Sequence, residues 1–288
     1  MLRSVALAVL LTLLVPSALL PCGALYASDP SDTANASDSL AVDVIDTGVW
    51  RQLEPGLDLG RFATRDTLPD PEGDLVVLRV DPQRWELRLL TAVVGDRAKQ
   101  RSARAWCEEF GLVAAINAGM FQRDRRTHVG YLQVGGEVLS AHTNSYLSAV
   151  ALGPRRSGLP PFRIFDLDIV PLTEIQSDYN DVAQNLRLIK RPGTNRWSVQ
   201  TRRWVEAALG EDGSGRALLI YCETPYPMYV LNGLLLALPL DLVCAQHLEG
   251  GGDAQFHVAH QHFTGGFQGA ADKFVSWPIP NVIGVRRR

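Results

Sequence analysis

The chain has 288 residues, and 46% of them are hydrophobic, enough to bury a sizeable core in one large domain or two small ones. Its 28 basic and 31 acidic side chains are interspersed and leave a formal net charge of −3. That balance gives no basis for a nucleic-acid groove or a polybasic membrane patch.

Residues 1–27 read as a signal peptide. Arg3 supplies the positive start, Val5 to Leu20 form an apolar stretch broken by Pro16, and small residues follow at Ala24 and Ala27. The stretch is short for a membrane span and runs into polar sequence, so the mature form is expected to carry no integral membrane span. The expectation is an exported protein, periplasmic or secreted, beginning near Ser28. Leu19-Leu20-Pro21-Cys22 is a weak lipoprotein box because Pro21 fits poorly before the cysteine, which leaves a lipid anchor as the alternative. Residues 28–45, small, polar and acidic for most of their length, read as a disordered tether. Residues 46–288 then form one domain.

Within it, Leu75–Val80 and Trp85–Leu90 flank Asp81-Pro82 and predict a hairpin. Ala98–Phe110, closed by Gly111, predicts a helix, and Leu112–Ile116 a buried strand. Tyr131–Val134, Gly135-Gly136 and Glu137–Leu139 form the clearest hairpin signal. Strands are predicted over Tyr146–Leu152, Phe162–Phe165, Val205–Leu209 and Ala217–Cys222, a buried helix over Met228–Leu238, and a strand over Leu242–Leu248. Many strands with a few helices between them indicate an α+β fold, a single mixed-sheet domain with covering helices. Removal of Cys22 with the signal leaves Cys107, Cys222 and Cys244, an odd number. At most one disulfide can then form within the chain: either Cys222 and Cys244 bridge neighbouring strands, or the thiols are buried and free.

Two loops have no packing rationale. Strand 242–248 opens into Glu249-Gly250-Gly251-Gly252-Asp253, three glycines between two carboxylates. Glycine loses more conformational freedom on folding than any other residue, so the run must serve a backbone shape or a close ligand approach. Strand 112–116 opens into Asn117-Ala118-Gly119-Met120-Phe121, an amide and a glycine ahead of a polar loop. Glu249, Asp253 and Asn117 are the candidate catalytic residues, with Glu249 first. Gly119, Arg202, Arg203, His247, Gly250, Gly251 and Gly252 are the candidate substrate-binding residues. Arg187 and Lys190 join Arg202 and Arg203 as candidate phosphate clamps.

Taken in order, Asn117-Ala-Gly-Met-Phe121, Arg203-Trp204 through Ala207-Ala208-Leu209-Gly210, Leu248-Glu-Gly-Gly-Gly-Asp-Ala254 and Ile279-Pro-Asn-Val-Ile-Gly-Val-Arg286 resemble the phosphodiester glycosidase family. The resemblance spans roughly residues 70–288. It implies a hydrolase that removes a sugar from a phosphodiester, with a sugar-phosphate or glycan partner and no cofactor. Most members carry aspartate where Glu249 stands and a serine where Asp253 stands. The family's arginine before the 205–209 strand has no direct counterpart, and Glu206 falls near its place. The chemistry is coherent on its own terms: a phosphate monoester leaves easily, so a carboxylate to attack or activate water, with donors for the phosphate, suffices.

Two alternatives stand beside this reading. His247, Glu249, Asp253, His257, His260 and His262 are dense in sequence and suggest a metal-dependent phosphodiesterase, although no recognised zinc spacing occurs. His257–His262 is expected on a wet loop or strand edge. A non-catalytic periplasmic glycan-binding protein on the same fold is the other alternative.

Overall fold

The computed structural model of the chain describes residues 50–64, 75–92, 101–269 and 277–288. The predicted signal peptide and tether lie outside them. Strands in the described residues form three sheets, and every pairing among them is antiparallel. The α+β class and the few covering helices hold. Three antiparallel sheets stand where a single mixed one was expected.

The largest sheet runs β1 (Trp50–Glu54), β2 (Leu57–Phe62), β3 (Leu75–Val80), β14 (Ala217–Tyr226), β13 (Trp204–Asp212), β15 (Leu242–Gly250), β11 (Arg187–Lys190) and β12 (Thr194–Asn195). A second runs β7 (Glu137–Ser140), β6 (Leu132–Val134), β10 (Tyr179–Asn185), β8 (Ser148–Pro154) and β9 (Phe162–Asp166). The third runs β17 (Phe263–Gln268), β16 (Gln255–His260), β5 (Ala114–Asn117), β18 (Asn281–Arg287) and β4 (Trp85–Thr91). Each sheet turns one face to a common core, where Leu78, Leu209 and Leu248 of the first meet Val150 and Ile164 of the second and Ile116, Phe256 and Ile283 of the third. This explains why the strands alternate between two sets of apolar residues.

The opposite faces are covered by one helix each. Helix α1 (Ala103–Phe110) lies on the third sheet with Trp106 and Cys107 buried, α2 (Leu172–Asp178) on the second with Ile175 buried, and α3 (Met228–Ala237) on the largest with Leu231 and Leu235 buried. Ser102 caps α1 by accepting from Ala105 N at 3.3 Å, which starts the helix later than the apolar pattern suggests. Gly111 closes it at φ 61°. The predicted hairpin at 132–140 turns through Gly135 and Gly136 at φ 61° and 87°, both left-handed as a tight hairpin requires.

One strand appears that the residue pattern does not predict, one of the two cysteine alternatives holds, and the placement of the His257–His262 stretch changes. Strand β10 reads Tyr-Asn-Asp-Val-Ala-Gln-Asn, too polar to resemble a strand, yet it is central to its sheet with Gln184 and Asn185 buried. Cys222 and Cys244 lie on β14 and β15, which β13 separates, so they are not strand neighbours, no disulfide joins them, and both thiols are buried. His257 and His260 sit on β16, an interior strand, and both are buried. No described helix is long and apolar enough to cross a membrane.

Candidate active site

The glycine loop is the crossing point between two sheets. Strand β15 of the largest sheet ends at Gly250, a single 3-10 turn covers Gly251–Asp253, and the chain enters β16 of the third sheet at Gln255. Gly251 adopts φ 63°, a conformation glycine reaches without a steric cost. Asn117 holds the far side of the turn. Its Nδ2 donates to the Asp253 carbonyl at 3.1 Å, and its Oδ1 accepts from Gln255 N at 2.6 Å. The two peculiar loops therefore meet, although they come from strands in different sheets and not from neighbours in one. Asn117 is fully buried with both polar ends engaged by loop backbone, so its place is beneath the site as the clasp that shapes it.

Glu249 stands at the open end of β15, half-buried, with Oε1 accepting from Gly250 N at 3.1 Å. A bulge brings it there. Ala208 pairs with His247 and Ala207 with Glu249, leaving Leu248 as the extra residue, buried in the common core. Burial is the main reason the Glu249 carboxyl is pushed up to about 7, with the negative charges of Asp253 and Glu206 adding to it. A carboxyl with that affinity for protons is poised for acid–base work at neutral pH.

Beside it lies a pair that sequence reasoning missed as a unit. His247 Nδ1 is 2.6 Å from Glu206 Oε1, and Trp204 Nε1 donates to Glu206 Oε2 at 3.1 Å. Burial pushes Glu206 up, opposed by its contacts with His247 and Trp204. Burial alone would lower His247, but the charge and hydrogen bond of Glu206, reinforced by Glu249, outweigh it and raise the imidazole. The two groups thus form one tightly coupled buried pair. Glu206 sits on β13 in an apolar run, and a lone carboxylate among Val205, Ala207 and Ala208 was the available signal. Trp204 also packs over Gly250, where an added Cβ would approach its Cδ1 to 2.9 Å, and the Arg202 guanidinium lies 5.2 Å from the Trp204 ring centre. Arg202 is thereby carried to the site through Trp204, whereas Arg203 is exposed with no described contact.

Asp253 faces Arg125 across the loop, with Nη2 to Oδ1 at 2.7 Å. Arg125 was not singled out in sequence. Asp124 folds the preceding polar loop by accepting from Arg126 N and Thr127 N, both at 2.9 Å, and Arg125 takes φ 56°, the left-handed region that side chains rarely adopt. Its guanidinium also donates to the Pro278 carbonyl at 3.2 Å and lies 5.1 Å from the Phe121 ring centre. Gly119, at φ 156°, presses against Asn185 and His128, leaving no space for a side chain. His128 is buried, which lowers it to about 4, so it is neutral and its Nε2–H donates to the Gln184 carbonyl at 2.9 Å. Gly119 therefore supports the clasp from behind.

The remaining candidates separate. Arg187 is bonded to Asp166 at 3.0 Å and Asp168 at 2.7 Å, and Lys190 to Asp168 at 2.6 Å. Both cations are already balanced by these carboxylates, which argues against them as phosphate clamps. The histidines that were dense in sequence disperse: His247 turns to Glu206, His260 to Glu54 at 3.0 Å, and His257 packs against Gly266. Among the described residues no three His, Cys, Asp or Glu side chains gather as a metal-binding set. This removes the observation on which the metal-dependent alternative rested.

Residues 110–286 match the family model of phosphodiester glycosidase. The chain belongs to the phosphodiester glycosidase family. The match takes in the Asn117 clasp, the Glu206–His247 pair and the whole glycine loop. No curated protein sequence matches the chain directly. Among solved structures, the catalytic domain of zebrafish N-acetylglucosamine-1-phosphodiester alpha-N-acetylglucosaminidase, auto-inhibited by its pro-peptide, is similar at TM-score 0.61 and 14% identity, over 84% of this chain and 87% of that one. A hypothetical protein from Synechocystis is similar at TM-score 0.52 and 12% identity, over 84% of this chain and 61% of that one. At these identities the likeness is one of fold.

Proposed function

We propose that this member of the family is an exported hydrolase that cleaves a sugar from a sugar phosphodiester, acting on a cell-surface or extracellular glycan. The observation that carries the reading is Glu249: a half-buried carboxyl raised to about 7, at the mouth of a glycine turn. In this reading the deprotonated Glu249 takes a proton from water as the water oxygen bonds to the anomeric carbon. The bond from that carbon to the bridging oxygen breaks, and a phosphate monoester leaves with the electron pair. Such a leaving group needs little help from an acid, so one well-placed base can serve where ordinary glycosides require two carboxyl groups. The amides of Gly251 and Gly252 and the Arg202 guanidinium are the donors we assign to phosphate or sugar oxygens. His247, made more basic by its contact with Glu206, stands beside the base as a further polar group.

The test is turnover of a synthetic sugar phosphodiester. Glu249→Gln keeps shape and removes the titrating group, and its turnover is expected to fall by roughly 10²–10⁴-fold. Unchanged turnover in that variant rejects the assignment. A wild-type protein that binds sugar phosphates without hydrolysing them is a glycan-binding protein and not an enzyme.

A further inference from the structure

Helix α3 is apolar on both sides. Its inner face, with Met228, Leu231 and Leu235, is buried against the largest sheet. Its outer face carries Tyr229, Val230, Gly233 and Ala237, all exposed, and no charged residue occurs between Met228 and Ala237. A helix that covers a sheet in water ordinarily turns charged side chains outward, and one that is apolar all round is ordinarily buried. With ten residues, α3 is too short to cross a bilayer. Its outer face is left without a cover among the described residues.

The segment after β12 extends this face. Asn195 ties the two together: its Nδ2 donates to the Tyr229 carbonyl at 2.9 Å, and its Oδ1 accepts from Asn232 Nδ2 and Trp197 N, both at 3.2 Å. Trp197 packs against the apolar layer under α3 and is fixed by its Nε1, which donates to the Arg187 carbonyl at 2.9 Å. Val199 follows at 79% exposure, more than any other large hydrophobic residue described. Arg196 and Arg203 flank it, both exposed, and no described carboxylate pairs with either. Arg202 leans over Trp204 toward the candidate site. Residues 194–205 hold these three arginines and no acid, so the near balance of charge over the whole chain hides a local excess.

We infer that α3 and the 196–203 loop form a peripheral docking surface for an anionic lipid bilayer. Tyr229, Val230 and Val199 enter the headgroup boundary, and the Arg196 and Arg203 guanidiniums meet lipid phosphates. The combination of chemistries selects this partner. Segments that lie in a membrane interface join an apolar face to a basic rim, with aromatic side chains at headgroup level. A nucleic acid would use the guanidiniums and leave the apolar helix face wet. A second copy docked about a two-fold axis would set the guanidiniums against their own counterparts. The surface requires neither a membrane span nor the hydrolase reading.

Vesicle flotation and hydrogen exchange with the full chain test it. Vesicles of equal parts phosphatidylglycerol and phosphatidylcholine should carry the protein and slow amide exchange in residues 196–203. Vesicles of phosphatidylcholine alone should do neither to a comparable degree. Combining Arg196→Ala with Arg203→Ala should weaken binding about 25-fold, about fivefold for each guanidinium. Combining Tyr229→Ser with Val230→Ser should weaken it about tenfold by removing apolar area. All four side chains are exposed, so both double variants are expected to keep the wild-type Tm. Arg156→Ala, an exposed cation already paired with Asp178, should bind as wild type does. Flotation without slowed exchange in 196–203, or equal affinity of wild type and both double variants, overturns the surface. Slowed exchange with soluble glycerol phosphate alone would give the arginines to a free phosphate and overturn it as well. So would a dimer in solution that Tyr229→Ser with Val230→Ser dissociates, since the face would then belong to a second copy.

Discussion

His247 Nδ1 and Glu206 Oε1 lie 2.6 Å apart on adjacent strands, with Glu206 fully buried. The register shift that follows His247 along β15 delivers Glu249 to the opening of the site. One buried carboxyl is thereby paired with an imidazole that it makes more basic, and a second, more exposed one is left free to exchange its proton with solvent. The division of roles arises from burial, since the two groups are chemically identical.

The pH dependence follows from the Glu249 carboxyl at about 7. If the deprotonated form is the base, kcat/KM should fall about tenfold per unit as pH drops below that value and level off above it. A profile that instead falls as pH rises through 7 would make Glu249 a proton donor. Initial rates between pH 5 and 9 decide between them.

The same group costs stability. Its folded pKa lies above the ordinary 4.5, so the folded state binds more protons than the unfolded chain between 4.5 and about 7. Stability therefore declines as pH rises through that window, by at most about 3 kcal/mol when complete. Glu249→Gln does not titrate. Its Tm is expected to match wild type at pH 4 and exceed it at pH 8, even as activity is lost. A Tm difference that is the same at both pH values would show that the carboxyl is not held up by the fold.

Asp253 and Arg125 act as one unit, being joined at 2.7 Å with both side chains a third exposed. Asp253→Asn is expected to reduce turnover roughly tenfold by loosening the turn, less than Glu249→Gln does. Arg125→Ala should do the same, and the double variant should be no worse than either single one. Additive losses in this cycle, or a greater loss for Asp253→Asn than for Glu249→Gln, would move the chemistry to Asp253.

Gly119→Ala tests the support behind the clasp. The new methyl would collide with Asn185 Oδ1 and His128 Cε1, on backbone at φ 156°. Strain and overpacking together should cost about 2–4 kcal/mol. Thermal unfolding would register this as a clear drop in Tm, and turnover per folded molecule should fall as the Asn117 loop shifts.

Much of this architecture was legible in the residues themselves. The hairpin turned by Gly135-Gly136, the helix that stops before Pro239 (half-exposed, not buried throughout) and the strand that opens into three glycines each carry a local signal: left-handed turn residues, a breaker, an apolar run. The two unusual loops and the order of four motifs also pointed to the family before any coordinate was known. Local chemistry sufficed because each feature is determined by backbone conformation within a few residues.

Only the tertiary structure decided how those pieces combine. Strand β10 is polar and becomes a strand because β6 and β8 supply partners on both sides. Glu206 looked like a stray charge in a core strand until β15 brought His247 to it, 41 residues further along. Arg125 finds Asp253 across 128 residues, and Asn117 closes on the glycine turn across 136. The dense His and carboxylate stretch divides for the same reason: His247, Glu249 and Asp253 stay at the glycine turn, while His257 and His260 leave with β16 into a different sheet. Whether a charge is buried, paired or free depends on what arrives from the rest of the chain, and that is a property of packing that no local pattern contains.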